Sequence, residues 1–173
     1  MGLSYFMKKI IINSPKYGQR EVLVDDHWIE RIKQYKWFIS KKEGKPFYAV
    51  RHEWKNNKQK TISMHRQILG LTDPNIKGDH IDHDGLNNQE KNLRKATHAQ
   101  NTQNQRPTRG CKFIGVTFDK ARNKWTAYIK SGNTTYRIGR FDKIEDAAHA
   151  RDLKARELFG EFAYINLPHL ISA

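Results

Sequence analysis

An α+β fold is predicted for this chain by three observations. Short β-branched segments broken by turn signals fill residues 1–64, a strand, loop, strand, helix order occupies residues 65–105, and three alternating segments precede one helical stretch within residues 111–168. The predicted architecture is a β-rich N-terminal unit, a central ββα unit, a short linker at 106–110, and a C-terminal three-stranded antiparallel sheet packed on one helix. At 173 residues, length alone does not decide between one ordinary domain and two or three small ones.

In the first unit, residues 9–12 (Lys-Ile-Ile-Ile) and 20–24 (Arg-Glu-Val-Leu-Val) flank a turn-rich stretch with Pro15 and Gly18, which predicts a hairpin. Asp25 or Asp26 caps a following helix over 27–36, whose Ile29, Ile32 and Tyr35 recur at a spacing of three. Strands are expected at 37–40, 47–51 and 60–64, with turns at Gly44-Lys45-Pro46 and Asn56-Asn57.

Residues 65–71 predict a brief helix closed near Gly70, and Asp73-Pro74-Asn75 a loop. Asp79 and His80 fall on a strand, Asn92 opens a second strand over 93–96, and Thr97 with Gln100 signals the start of a helix carrying Asn101 and Asn104 on one face. Arg106-Pro107-Thr108-Arg109-Gly110 is basic and rich in helix breakers, as a linker would be. Beyond it, alternation predicts strands at 114–118, 124–130 and 134–140. A helix follows over 144–159, with an alanine-rich apolar face and Gly160 at its end.

Thirty-two Lys and Arg against eighteen Asp and Glu leave a net charge of +14, which fits a polyanionic partner, nucleic acid above all. The excess is +8 over residues 1–64, +2 over 65–109 and +4 over 110–173, so basic ends flank a middle that keeps its carboxylates. One cysteine, Cys111, excludes an internal disulfide and any Cys-pair zinc site. No apolar run nears the ~20 residues of a membrane span. A cytoplasmic chain with no membrane partner and no small-molecule cofactor is expected.

The central residue types point to phosphodiester chemistry. A carboxylate from the first strand and an amide oxygen from the helix suit one hard divalent cation, Mg²⁺ or Mn²⁺, whose remaining positions go to water and phosphate. Neutral imidazole at His80 beside that phosphate can take a proton from water while the cation stabilises the developing charge. Taken alone, the Asp-His pair is equally a solvated acidic turn, and asparagines are commonly turn residues. The full order is what carries weight.

That order, Met64-His65-Arg66, then Asp79-His80, a polar loop, Asn92-Leu93-Arg94 and a helix with Asn101, resembles the HNH homing endonucleases of phages and mobile introns over about residues 64–105. The resemblance implies a ββα-metal (His-Me finger) motif. In it His80 is the general base, Asp79 and Asn101 hold a single metal per active site, and Asn92 braces the loop that orients His80. Arg66 and Arg94 are candidate DNA contacts, with fold support the alternative for Arg66. Asn101 stands where the third motif letter is often His, and His83 stands where a small residue is often found. His52, His65, His98, His149 and His169 are expected to be surface or packing histidines.

Gly115-Val116, Trp125-Thr126-Ala127, Gly139-Arg140-Phe141, Asp146-Ala147-Ala148 and Asn166 make residues 110–167 resemble the DNA-binding domain of plant ethylene-response (apetala-type) factors. That family lays its sheet in the major groove of double-stranded DNA. Alternation places Trp125, Ala127 and Ile129 toward the helix and Lys124, Thr126, Tyr128 and Lys130 outward, with Arg137 outward on the next strand. The family's usual sheet arginines fall at Ile114, Thr117 and Thr135, so its DNA sequence preference does not transfer. The expectation is a homing-type, metal-dependent endonuclease acting on double-stranded DNA, as a monomer that nicks or a dimer that cuts both strands. A DNA-binding protein with a relic nuclease motif is the alternative, and an RNA-processing nuclease a weaker third.

Overall fold

The computed structural model describes residues 7–104, Pro107 and residues 112–171. The chain forms two compact units that divide between His98 and Ala99. Apart from Pro107, the expected linker lies outside the described residues, as does Cys111.

The first unit opens with an antiparallel hairpin of β1 (Met7–Ser14) and β2 (Gly18–Asp25), turned by Gly18 at a φ of 69°. Alternation buries Ile12, Val22 and Val24 and leaves Ile11 45% exposed. A 3-10 turn (Asp26–Trp28) leads into α1 (Ile29–Lys33), which is shorter than the helix expected over 27–36. Ile32 is wholly buried, but Tyr35 lies past the helix end with the Arg51 guanidinium 4.1 Å from its ring. The helix stops there because Trp37 turns into the core and its indole N–H donates to the Ile32 carbonyl at 2.8 Å.

A three-stranded sheet follows in the order β3 (Phe38–Lys41), β4 (Phe47–Lys55), β5 (Lys58–Ser63). Asn56 and Asn57, both at positive φ, form the tight β4–β5 connection. The expected strand end at Met64 is instead the first residue of α2 (Met64–Ile68), where its side chain is fully buried. A two-stranded ladder of β6 (Lys77–His80) and β7 (Leu93–Ala96) completes the unit. All three sheets feed one core that includes Ile12, Val24, Ile32, Ile39, Met64 and Leu93.

α3 (His98–Gln103) begins at the boundary between the units. In the second unit the antiparallel order is β10 (Thr134–Phe141), β9 (Lys124–Ser131), β8 (Val116–Asp119), and α4 (Ile144–Phe159) ends at Gly160. β8 starts two residues later than expected because Gly115, at φ 72°, turns the chain while its carbonyl accepts the Tyr128 N–H at 2.9 Å. Ala147 and Ala148 of α4 pack on Val116, Ala127 and Phe113. Small residues let the helix lie close to the sheet.

A buried polar network supplements this small core. Asp152, with no exposed surface, accepts from Arg151, from the Asn166 amide at 3.0 Å and from the Leu167 N–H at 2.9 Å. Arg151 also donates to the Tyr164 carbonyl, and Asn166 pairs with both backbone groups of Ile114. The chain after α4 is thereby fastened to the segment before β8. Among the described residues, no helix is long and apolar enough to cross a membrane.

Candidate active site and nucleic-acid interface

Asp79 and His80 end β6, and strand alternation sends their side chains to opposite faces. Each face has its own cover. Asp79 lies opposite Arg94 on β7, whose Nε and Nη2 both donate to Asp79 Oδ2, at 2.9 and 2.8 Å. His80, 5% exposed, turns its ring toward His65 of α2, edge-on at 4.9 Å between centroids, and toward Tyr48 of β4 at 5.8 Å. Gly78 permits this packing, because a Cβ there would meet His65 Cδ2 at 2.5 Å.

Burial dominates the electrostatics of these rings. It pushes His65 down to about 3, helped by the charges of His80 and Arg66. His80 is likewise held below the ordinary histidine value by burial, against the opposing pull of the Asn88 amide and of Asp82, Asp79 and Asp84. Asn88 pulls as a polar neighbour, although among the described residues its own amide atoms reach no full hydrogen-bond geometry. Tyr48 is raised by burial and by the Asp79 charge, so it stays a protonated phenol. The His80 imidazole, at the end of β6, is therefore neutral at neutral pH.

The loop from Ile81 to Asn92 is held from within. Asn92 Nδ2 donates to Asp82 Oδ1 and to the Asn87 carbonyl, each at 2.8 Å, and its Oδ1 accepts the Asp82 N–H at 3.0 Å. Asp82 also accepts from the Asp84 N–H and the Asn87 amide, at 2.8 and 2.7 Å. Burial pushes the Asp82 carboxyl up, but these donors and His80 outweigh it and hold the group below its ordinary value. His83 occupies the left-handed region at φ 64° while its N–H donates to the His80 carbonyl at 3.0 Å, so the loop turns immediately beyond His80.

The same loop is anchored from outside. Leu23 of β2 donates to the Leu86 carbonyl at 2.9 Å and accepts the Asn88 N–H at 2.8 Å, and Asp25 accepts the Glu90 N–H at 2.7 Å. Gly85 is pressed onto β4, where a Cβ would lie 2.3 Å from the Phe47 carbonyl oxygen. Arg66, on α2, donates to the carbonyls of Ile76 at 2.6 Å and Asp73 at 2.7 Å, stapling the loop ahead of β6.

The first unit therefore brings together Asp79, His80, Asn92 and Arg94. Asn101 lies half-buried on α3 in the second unit. Among the described residues, no three His, Cys, Asp or Glu side chains group to hold a metal ion. The Asp79 carboxylate is an oxygen donor of the kind a hard divalent cation takes while completing its shell with water and phosphate, but here it holds Arg94 and lies on the face of β6 opposite the His80 ring.

In the second unit the ladder fixes the faces of the sheet. Ala127 and Ile129 are buried, while Tyr128 is 39% exposed and Lys130 is exposed. Tyr128 lies opposite Arg137, Lys130 opposite Thr135, and Thr126 opposite both Thr117 and Arg140. Lys124, at the strand start, is half-exposed and paired with Asp142. Arg140 was not singled out from the sequence as a contact, because strict alternation sends residues 137 and 140 to opposite faces. A bulge between Arg137 and Gly139 takes up one residue, so both arginines share the outward face. Also missed were His65, Tyr48, Asp82 and Asn88 around His80. Asp82 left a signal in its spacing to Asp84 and Asn87 within a turn-forming loop, and His65, expected as a surface or packing histidine, is the buried partner of His80.

No protein-family model matches the chain. It is similar to an uncharacterized HNH endonuclease of Acanthamoeba polyphaga mimivirus, 35% identical over 140 residues that cover 78% of this chain and 68% of the relative. It is also similar to dehydration-responsive element-binding protein 2E of Oryza sativa subsp. japonica, 40% identical over 77 residues. That match covers 39% of this chain and 24% of the rice protein, so about a quarter of the latter. The first similarity runs through most of both proteins. This chain belongs to the HNH endonuclease family.

Proposed function

We propose that this chain is a homing-type endonuclease that hydrolyses phosphodiester bonds of double-stranded DNA with one divalent metal, Mg²⁺ or Mn²⁺, per active site. The observation that carries the reading is His80, a buried imidazole held neutral by its surroundings, next in sequence to the Asp79 carboxylate and ahead of a loop tied to two other elements. His80 takes a proton from the attacking water, acting as the general base. Asp79 supplies a carboxylate ligand, and Asn101 is the second ligand on the strength of its motif position alone. A bound divalent cation would stabilise charge on the phosphate and the leaving oxygen. Asn92 is a positioning residue, since its bonds go to the loop and not toward a reacting atom.

Arg94 is paired with Asp79, so a DNA contact from it requires release of that carboxylate; Arg66 acts first as a staple. The outward sheet face of the second unit, with Lys124, Thr126, Tyr128, Lys130, Arg137 and now Arg140, holds the duplex by phosphate contacts and base edges. One observation favours the relic reading: a guanidinium already sits on the carboxylate that would take the metal. Incubating supercoiled plasmid with the chain in Mg²⁺ and in EDTA separates the two. Nicking in Mg²⁺ alone supports the endonuclease; DNA binding without nicking in Mg²⁺ or Mn²⁺ supports the relic.

A further inference from the structure

The far half of the β4–β5 hairpin leaves the sheet. β3 pairs with β4 only from Phe38 opposite Val50 to Lys41 opposite Phe47, so beyond Val50 the ribbon has two strands. His52, Trp54 and Lys55 on one strand and Lys58, Gln59, Lys60 and Thr61 on the other are all exposed. A two-stranded ribbon with no buried face is marginal by itself. Yet this one ends in a tight Asn56-Asn57 turn and carries Trp54 at 71% exposure.

Register sorts the ribbon into two chemistries. Trp54 with Gln59 and His52 with Thr61 share one face, and His52 stacks toward the half-exposed Phe38 at 5.6 Å, so that face is a row of rings. Lys55 with Lys58 and Glu53 with Lys60 form the other, where Arg51 contacts the single acid, Glu53, at 3.4 Å. A ribbon with rings on one face and lysines on the other suits a nucleic-acid groove, the rings toward the base edges and the long lysine side chains within reach of the flanking phosphates: strands about 4.8 Å apart fit a major groove about 12 Å wide. We infer that the β4–β5 ribbon is a second DNA-contacting element, entering a groove of the substrate duplex with Trp54 against the bases and Lys55, Lys58 and Lys60 on the phosphates.

The inference rests on duplex DNA being the substrate, and its test keeps the two apart. The full chain is titrated, in EDTA, against a fluorescein-labelled mixed-sequence duplex and its single-stranded counterpart over a range of salt, with thermal unfolding confirming that each variant folds like the parent. Trp54→Ala should bind the duplex about tenfold more weakly with an unchanged salt slope, and Trp54→Tyr should recover most of the loss. The triple variant Lys55→Gln, Lys58→Gln, Lys60→Gln should flatten the slope of log affinity against log salt by about 2–3. If the parent binds and both Ala and Gln variants match it in affinity and slope, the ribbon does not touch DNA. Tighter binding of the single strand than of the duplex, lost with Trp54→Ala, overturns the groove assignment in favour of stacking on unpaired bases. A parent that binds neither probe overturns the DNA reading itself, and this inference with it.

Discussion

His80 and His65 carry the pH behaviour of the first unit, with opposite visibility in the sequence. Asp79, His80 and Asn92 stood out in the sequence by residue type and order, and the structure places all three in the first unit. The His65 to His80 contact was not legible, since it joins α2 to β6 through a space that only Gly78 leaves open. Because burial lowers His80, its neutral form persists below the ordinary histidine pKa of about 6.5. The acid limb of kcat should therefore have its midpoint below about pH 6.5, measured as nicking rate against pH at saturating metal. Stability follows the same sign. His65 binds its proton only near 3 when folded but near about 6.5 when unfolded, so the folded state is progressively destabilised as pH falls through that window. His65→Phe should flatten the fall of Tm between about pH 7 and 5, checked by thermal melts across that range.

Elements were legible where apolar alternation was strong and displaced where tertiary contacts decided. β7 and α4 match their expected ranges, while α1 is cut short by Trp37 and β8 is delayed by Gly115. The bulge at β10 had no periodic signal, since a single extra residue changes facing and not composition. The Ile81 to Asn92 loop is the element on which positioning depends. Asn92→Ala removes three hydrogen bonds to it and should cost about 1–3 kcal/mol, with a lower kcat and an unchanged DNA affinity. Denaturant unfolding paired with nicking rates checks both arms. Gly115→Ala tests the second unit: a Cβ would lie 2.4 Å from the Tyr128 carbonyl at a φ of 72°, so a loss of about 1–3 kcal/mol is expected in denaturant unfolding.

For the whole molecule, the two units have separate cores, and the proposed function assigns the chemistry to the first and the grip on DNA to the sheet of the second. The sequence carries a basic excess at both ends around a middle that keeps its acids, a pattern that does not mark the boundary between His98 and Ala99. A chain ending after Arg109 should still cut DNA with metal, but with weaker affinity and a salt slope shallower by up to about three units, one for each of Lys124, Lys130 and Arg137 that neutralises a phosphate. Equal salt slopes for the full and shortened chains would count against the sheet as a DNA-binding face. In the proposed function, His80 is the base of a metal-dependent nuclease. That role is tested most directly by comparing His80→Ala with the parent in rate of plasmid nicking in Mg²⁺, with DNA affinity measured alongside in EDTA. The variant should nick at a rate at least about 100-fold lower with affinity nearly unchanged; cleavage at more than about a tenth of the parent rate would rule His80 out as the base.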